Sequence, residues 1–292
     1  MDLVMFHSGE KFPNYLGDTF KQIRMFNPEL NIHFLVDSKF LQNKVFIDYN
    51  IIVVNKDLYY TDKIHELNLL YKRKANDFWT ITTTRLVYIE NYIEKKDLTN
   101  VYHFENDVLL YRSLKDFHTL FTVKYPYLAI TAGSKYKYMT GFMFIKNYIA
   151  ISLMTRFFID LLSTYGKEKI IRKYNLGMIH EMGLMGIYGI ERGYIFITKL
   201  PTLPNSPNFE DFNSIFDPAA WGQFVGGTQN EGPGAKPTDH DISQVLIKHP
   251  EYNVIWVKDI EGRKIPFFKM GDEHIRINNL HIHSKNLHLY LS

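Results

Sequence analysis

The sequence predicts an α/β protein with a mainly parallel central sheet flanked by helices. Three observations lead there. Short apolar runs alternate with stretches of helical spacing through the first third of the chain, and strand–helix–strand alternation builds a parallel sheet covered by helices. The runs end in polar or acidic turns, His7-Ser8-Gly9, Asp37-Ser38 and Glu105-Asn106-Asp107. No internal repeat, low-complexity tract or linker divides the chain, so residues 1–292 read as a single domain.

Taken in order, Leu3–Phe6 is an apolar run and reads as a strand. Tyr15–Phe26 places Leu16, Phe20, Ile23 and Phe26 at helical spacing and closes at Asn27-Pro28. Ile32–Val36 and Ile51–Val54 read as strands. Thr61–Lys74 reads as a helix with Ile64, Leu67, Leu70 and Tyr71 on one face and Lys72-Arg73-Lys74 in its last turn, where cations suit the helix dipole. Phe78–Glu94 is a second helix, and Val101–Phe104 a buried strand. Leu128–Ala132 and Gly141–Asn147 follow as strands, the latter opened by its glycine. Ala150–Leu162, His180–Tyr188 and Ile242–Ile247 read as helices, and Ile195–Thr198 as a strand. Residues 201–240 are rich in Pro, Gly and Asn, yet hold Phe209, Phe212, Phe216, Trp221 and Phe224. Long aperiodic segments are usually functional loops or disordered, and aromatic content argues against disorder.

Composition excludes several classes. The net charge of +3 is too small to argue for nucleic acid or a membrane surface. With no cysteine, disulfides and thiolate metal sites are ruled out. Met1–His7 lacks the basic start and apolar core of a signal peptide. The most apolar long region, Tyr138–Leu162, is broken by Lys146, Arg156 and Asp160, so no transmembrane segment is expected. A cytoplasmic protein is the resulting expectation. Phosphate loops of the Gly-x-x-x-x-Gly-Lys type, Gly-x-Gly-x-x-Gly and Gly-x-Ser-x-Gly are all absent, which removes the signatures of P-loop enzymes, dinucleotide dehydrogenases and common serine hydrolases.

Two constellations carry chemistry. Glu105 and Asp107, two apart at a strand end, can point to one side. Close carboxylates are relieved by a divalent cation, and hard cations often bridge to phosphates. A solvated turn is the plainer reading of the tripeptide alone. Near the C-terminus, alternation puts Leu280 and Ile282 on one face and His281 and His283 on the other. Exposed histidines would explain that too, but an imidazole can complete a carboxylate-held metal site. Lys285 is placed to meet a diphosphate as a point charge. Glu181 reads either as a dipole-favoured acid at a helix start or as a general base. Arg85 either reaches a phosphate or pairs with an acid such as Glu90. Asp217, before Pro218-Ala219-Ala220-Trp221, reads as a helix cap. Asp239 and Asp241 read as caps of the following helix.

The order of these motifs resembles nucleotide-sugar glycosyltransferases of the GT-A type over nearly the whole chain. The residues that match are His7-Ser8-Gly9, Phe78-Trp79-Thr80, Thr83-Thr84-Arg85, His103-Phe104-Glu105-Asn106-Asp107, Gly141–Asn147, Glu181, Leu200-Pro201 and Leu280–Lys285. The acid knot is similar to the Asp-x-Asp motif, with Glu105 replacing the first Asp. The resemblance implies a GT-A-type Rossmann-like fold, with 1–110 as nucleotide-binding half and 111–292 as acceptor-side half. It implies a UDP- or GDP-sugar donor, a carbohydrate or other hydroxyl acceptor, and Mn²⁺ (or Mg²⁺). Glu105, Asp107, His281 and His283 would supply metal ligands, and which histidine binds stays open because the spacing departs from glycogenin-like members. His7, Ser8, Gly9, Arg85, Asn106 and Lys285 would meet the nucleotide sugar. Glu181 would be catalytic, and Asp217 and Trp221 would lie beside the acceptor. Rival classes are a sugar nucleotidyltransferase or nucleotide-sugar hydrolase, and a non-catalytic carbohydrate-binding relative.

Overall fold

Alternation within the strands assigns the layers. The computed structural model describes residues 1–71, 78–228, 230–237 and 240–292. It begins β1 (Asp2–Phe6), α1 (Leu16–Phe26), β2 (Asn31–Val36), α2 (Val45–Asp48), β3 (Ile52–Asn55), α3 (Asp62–Tyr71), α4 (Phe78–Lys95) and β4 (Val101–His103). In β1, Leu3 and Met5 face a core built with Phe20 and Ile23 of α1, while Val4 and Phe6 face Leu86 and Ile89 of α4 on the other side. That is the period-two signature of a strand buried on both faces. The expected basic turn Lys72-Arg73-Lys74 lies outside the described residues.

The chain continues through β5 (Val108–Leu110), α5 (Lys115–Lys124), β6 (Leu128–Ser134), β7 (Lys137–Ile145), α6 (Tyr148–Tyr174), α7 (Glu181–Arg192) and β8 (Ile197–Lys199). The main sheet has seven strands in the order β3-β2-β1-β4-β7-β6-β8. All neighbours pair in parallel except at β7, which is antiparallel to both β4 and β6. The carboxyl ends of β1, β2, β4, β6 and β8 therefore share one edge with the start of β7. This is the mainly parallel, helix-flanked α/β sheet expected from the alternation.

Two elements differ from expectation in a way that has a local cause. β7 starts at Lys137, so Gly141 lies inside the strand rather than opening it. A Cβ there would sit 3.3 Å from both the Asp217 carbonyl oxygen and the His281 ring, so the glycine makes room for a close approach. The helix expected at Ala150–Leu162 is longer because Asn147 caps it, accepting from the Ala150 N–H, and because it runs on past a break at Gly166, where φ is 67°.

The last third holds α8 (Phe209–Phe212), β9 (Ser214–Ile215), α9 (Trp221–Gly226), α10 (Asp241–Lys248), β10 (Asn253–Lys258), β11 (Lys264–Met270), β12 (Glu273–Ile277) and β13 (Asn279–His281). A second sheet has the order β10-β11-β12-β9. Residues 201–240, expected as a loop, include the buried Phe212, Phe216 and Trp221, so much of the segment is core. β13 pairs antiparallel with β5, placing His281 opposite Val108. That ladder carries the C-terminal histidines to the acid knot. No described helix is long and apolar enough to cross a membrane.

Candidate metal and diphosphate site

The knot sits between β4 and β5. Thr19 of α1 donates to the Asn106 carbonyl at 2.6 Å, and the Ile282 N–H donates to the Asp107 carbonyl at 2.9 Å. The turn is thus pinned from both sides, and its acids are fixed rather than solvated. Asp107 is 4% exposed. Its Oδ1 lies 3.0 Å from His281 Nε2, and its other oxygen accepts from the Lys285 ammonium. Lys285 reaches that point from a left-handed backbone, φ 64°, a conformation non-glycine residues seldom adopt without cause.

Glu105 is held differently. Its Oε1 accepts from Arg85 Nη2 at 2.7 Å and from the Thr140 hydroxyl at 2.5 Å. Its Oε2 lies 3.1 Å from His281 Nε2. Arg85 also lies 3.8 Å from Glu181, whose second oxygen accepts from Thr82 at 2.6 Å. Arg85 therefore pairs with Glu105 and Glu181. Glu90, the partner considered from sequence, is instead bonded by Lys63 and Thr155.

The electrostatics follow from this wiring. Burial alone would raise the Asp107 pKa, but His281 and Lys285 outweigh it and hold the carboxyl far below its usual range. Burial likewise opposes ionisation of Glu105, and Arg85 and His281 bring it well below normal. Glu181 goes the other way: burial raises it despite Arg85 and Thr82. Burial would lower His281, but Asp107 and Glu105 raise it on balance. For His283, burial and then His281 outweigh the pull of Asp107 and Glu105 and push it down to about 3. Its Nδ1 lies 3.0 Å from the Gln223 amide nitrogen.

These residues fit a divalent cation. One ligand atom each from Asp107, His281 and His283 lies within 4.8 Å of the others. Atoms bound to one ion at about 2.0 to 2.2 Å sit no more than roughly 4.4 Å apart, so a small adjustment suffices. The set mixes oxygen with imidazole nitrogen, which suits Mn²⁺ better than Ca²⁺. The Asp107–His281 hydrogen bond is the contact such an ion would replace. The site is reachable, since the Lys285 side chain is 38% exposed.

The other sequence-derived residues divide. His7, Ser8 and Gly9 lie at the end of β1, on the same sheet edge, with the Gly9 N–H donating to Asp37 at 2.9 Å and Asp37 paired to Lys56 at 2.9 Å. The Asn106 Oδ1 is buried with no hydrogen-bond partner among the described residues. Glu181 is the first residue of α7, as expected, but is only 3% exposed. Asp217 is fully buried, and its carboxylate accepts N–H bonds from Ala220, Trp221, Gly222 and His281. This is the capping role, extended to anchor β13. Trp221 is also fully buried, 4.7 Å from the Phe268 ring centroid. Neither side chain presents a face to an acceptor. Asp241 lies in the first turn of α10, and Asp239 lies outside the described residues.

Sequence reasoning missed Thr140, Gln223 and Tyr15 as site residues. Tyr15 stands under the Lys285 ammonium at 5.7 Å, and burial followed by the fields of Asp107 and Glu105 raises its hydroxyl pKa. Alternation along β7 was the available signal for Thr140, because a polar residue in an apolar strand needs a partner. Gln223 and Tyr15 carried none.

No protein-family model matches the sequence, and no curated protein matches it. Among solved structures, mouse xyloside xylosyltransferase 1 in its apo form aligns with TM-score 0.52 and 11% identity, covering 69% of this chain and 86% of that one. The PaToxG glycosyltransferase aligns with TM-score 0.44 and 11% identity over 65% of this chain and 68% of that one. The galactosyltransferase LgtC, in complex with donor and acceptor sugar analogs, aligns with TM-score 0.41 and 16% identity over 69% and 74%. At such identities the likeness is one of fold, carried by the first of the three. The central sheet and its flanking helices form the GT-A-type α/β fold.

Proposed function

We propose that this chain is a metal-dependent glycosyltransferase that moves a sugar from a nucleotide-diphosphate sugar to a hydroxyl acceptor. The observation that carries this reading is the convergence of Asp107, His281, His283 and Lys285 at the carboxyl end of β4. Ligands of open α/β sheets bind along that edge, and a carboxylate–imidazole set beside an ammonium suits a metal-bound diphosphate better than a neutral ligand. UDP- or GDP-sugars are the donor class, and Mn²⁺ or Mg²⁺ the ion. When bound, the ion supplies Lewis-acid stabilisation of the departing diphosphate.

The chain's own residues have distinct tasks in this reading. Asp107, His281 and His283 hold the ion. Lys285 adds positive charge where the leaving diphosphate gains negative charge. Glu105, already held by Arg85 and Thr140, orients His281 and leaves its second oxygen toward the ion. Arg85, in that network, spends its charge on Glu105 and Glu181. His7, Ser8, Gly9 and Asn106 line the donor side of the edge. Glu181 is the candidate for contact with the reacting sugar, its elevated pKa set by burial. The whole of 1–292 works as one catalytic domain, with 1–110 on the donor side and 111–292 on the acceptor side.

Calorimetry with UDP, with and without Mn²⁺, tests the reading. Binding that needs Mn²⁺ and disappears in Asp107→Ala is the expected result. Metal-independent binding, or binding unchanged by the substitution, sinks it. A donor panel assayed with and without sugar acceptors then shows whether free nucleotide is released by transfer or by hydrolysis.

A further inference from the structure

The edge that carries Glu105–Asp107 continues beyond them. In the sheet order, β7, β6 and β8 follow β4 on the side away from β1. With β7 reversed, the end of β6, the start of β7 and the end of β8 all open onto that edge. The β6–β7 turn and these strand ends bear Lys135, Lys137 and Lys199, interleaved with Tyr136 and Tyr138.

Lys199, the last residue of β8, is the informative one. Its ammonium lies 5.3 Å from the Tyr138 ring centroid and 5.4 Å from that of Tyr194. It is half-buried, and burial lowers its pKa. Among the described residues its ammonium has no carboxylate within ion-pair distance and no hydrogen bond. The field of Asp241 does reach it, opposed by that of Lys135. Lys135 is exposed and lies 5.1 Å from the Tyr136 ring centroid. Lys137 extends the field inward, since its charge helps lower the pKa of His180, the residue before Glu181. A half-buried cation costs free energy unless something negative meets it.

The donor diphosphate cannot be that partner. Lys199 stands three strands from β4, roughly 14 Å at about 4.8 Å per step. Lys285 already serves the metal end. Aromatic rings beside cations suit a sugar bearing a negative group, the rings taking its apolar face.

Building on the function proposed above, we infer that the acceptor is an oligosaccharide carrying a phosphate or carboxylate away from its reacting hydroxyl. Lys199 and Lys135 receive that group while the reacting end lies near Glu181.

The test uses the full chain with Mn²⁺ and UDP present, titrated by calorimetry with lactose, sialyllactose and phosphorylated lactose. Binding of one charged sugar about tenfold tighter than lactose is expected. The advantage should shrink as salt is raised. Whether the phosphate or the carboxylate binds more tightly identifies the group. Lys199→Met keeps the apolar stem between the two tyrosines and should erase the preference. Lys135→Gln, at an exposed position, should reduce it in part. Equal affinity for neutral and charged sugars overturns the inference, as does a preference that survives both substitutions. UDP binding in the same wild-type preparation separates the two readings. Failure to bind UDP with Mn²⁺ counts against the donor site, whereas intact UDP binding without a charge preference counts against the anionic acceptor alone.

Discussion

Two halves of the site sit side by side and are built on opposite principles. On one side, the Asp107 carboxylate meets His281 and Lys285, and His283 lies beside the His281 ring with Gln223 as its hydrogen-bond partner. On the other, hydrogen bonds join Arg85, Glu105 and Thr140, and Glu181, itself bonded by Thr82, stands 3.8 Å from Arg85 as an ion pair. In the first half an incoming ion can replace an internal contact. In the second, most polar atoms are already committed to protein partners. The difference explains why two acids only two residues apart are not equivalent. Asp107 offers itself to a ligand, while Glu105 spends one oxygen on the scaffold.

The largest effect should come from Asp107→Ala. Loss of Mn²⁺-dependent UDP binding by about a thousandfold, near 4 kcal/mol, is expected by calorimetry. The circular dichroism spectrum should be that of the wild type. A tenfold loss or less would mean that Glu105 is the principal ligand, reversing the comparison.

Arg85→Met attacks the closed half. It leaves the buried Glu181 and the partly buried Glu105 without their cation, and removing one partner of a buried pair costs about 3 to 5 kcal/mol. Urea unfolding should show a loss of about 3 kcal/mol, with Arg85→Lys recovering part of it. If stability stays within about 1 kcal/mol of wild type, the network is not a scaffold and Arg85 is free to serve the donor.

Asp217→Ala tests how the open half is positioned. The carboxylate accepts four backbone N–H bonds, one from His281 itself. Leaving those donors buried and unpaired should destabilise by about 2 to 3 kcal/mol. Asp217→Asn should recover part, since its one oxygen can still accept. Full stability in Asp217→Ala would show that β13 docks without this anchor.

The smallest change is expected from Gln223→Leu. Its amide meets His283 at 3.0 Å, and partners that orient metal ligands are typically worth about 10- to 100-fold in affinity. A tenfold weaker Mn²⁺ response in the UDP titration is expected. No change would remove His283 from the metal set and leave His281 with Asp107.

What the sequence determined by itself is local and periodic. Short continuous apolar runs specified β1, β2 and β4, and spacing of three and four specified α1, α3 and α4. A strand's side chains alternate and a helix's recur each turn, so these patterns are written in neighbouring residues. For the same reason the acid knot at a strand end and the alternation of His281 with His283 were legible. Tertiary structure decided which of these distant pieces meet. Lys285 and Asp107 are 178 positions apart, and nothing in either stretch encodes the β5–β13 ladder that joins them. Arg85 had Glu90 within its own helix, yet the fold turns that acid toward Lys63 and gives Arg85 to Glu105 and Glu181. Asp217 and Trp221, expected beside the acceptor, are buried where β13 bonds the first and Phe268 of the second sheet packs on the other. Choice of partner and depth of burial depend on elements brought together from far along the chain, and that is why the site's two unlike halves emerge only in three dimensions.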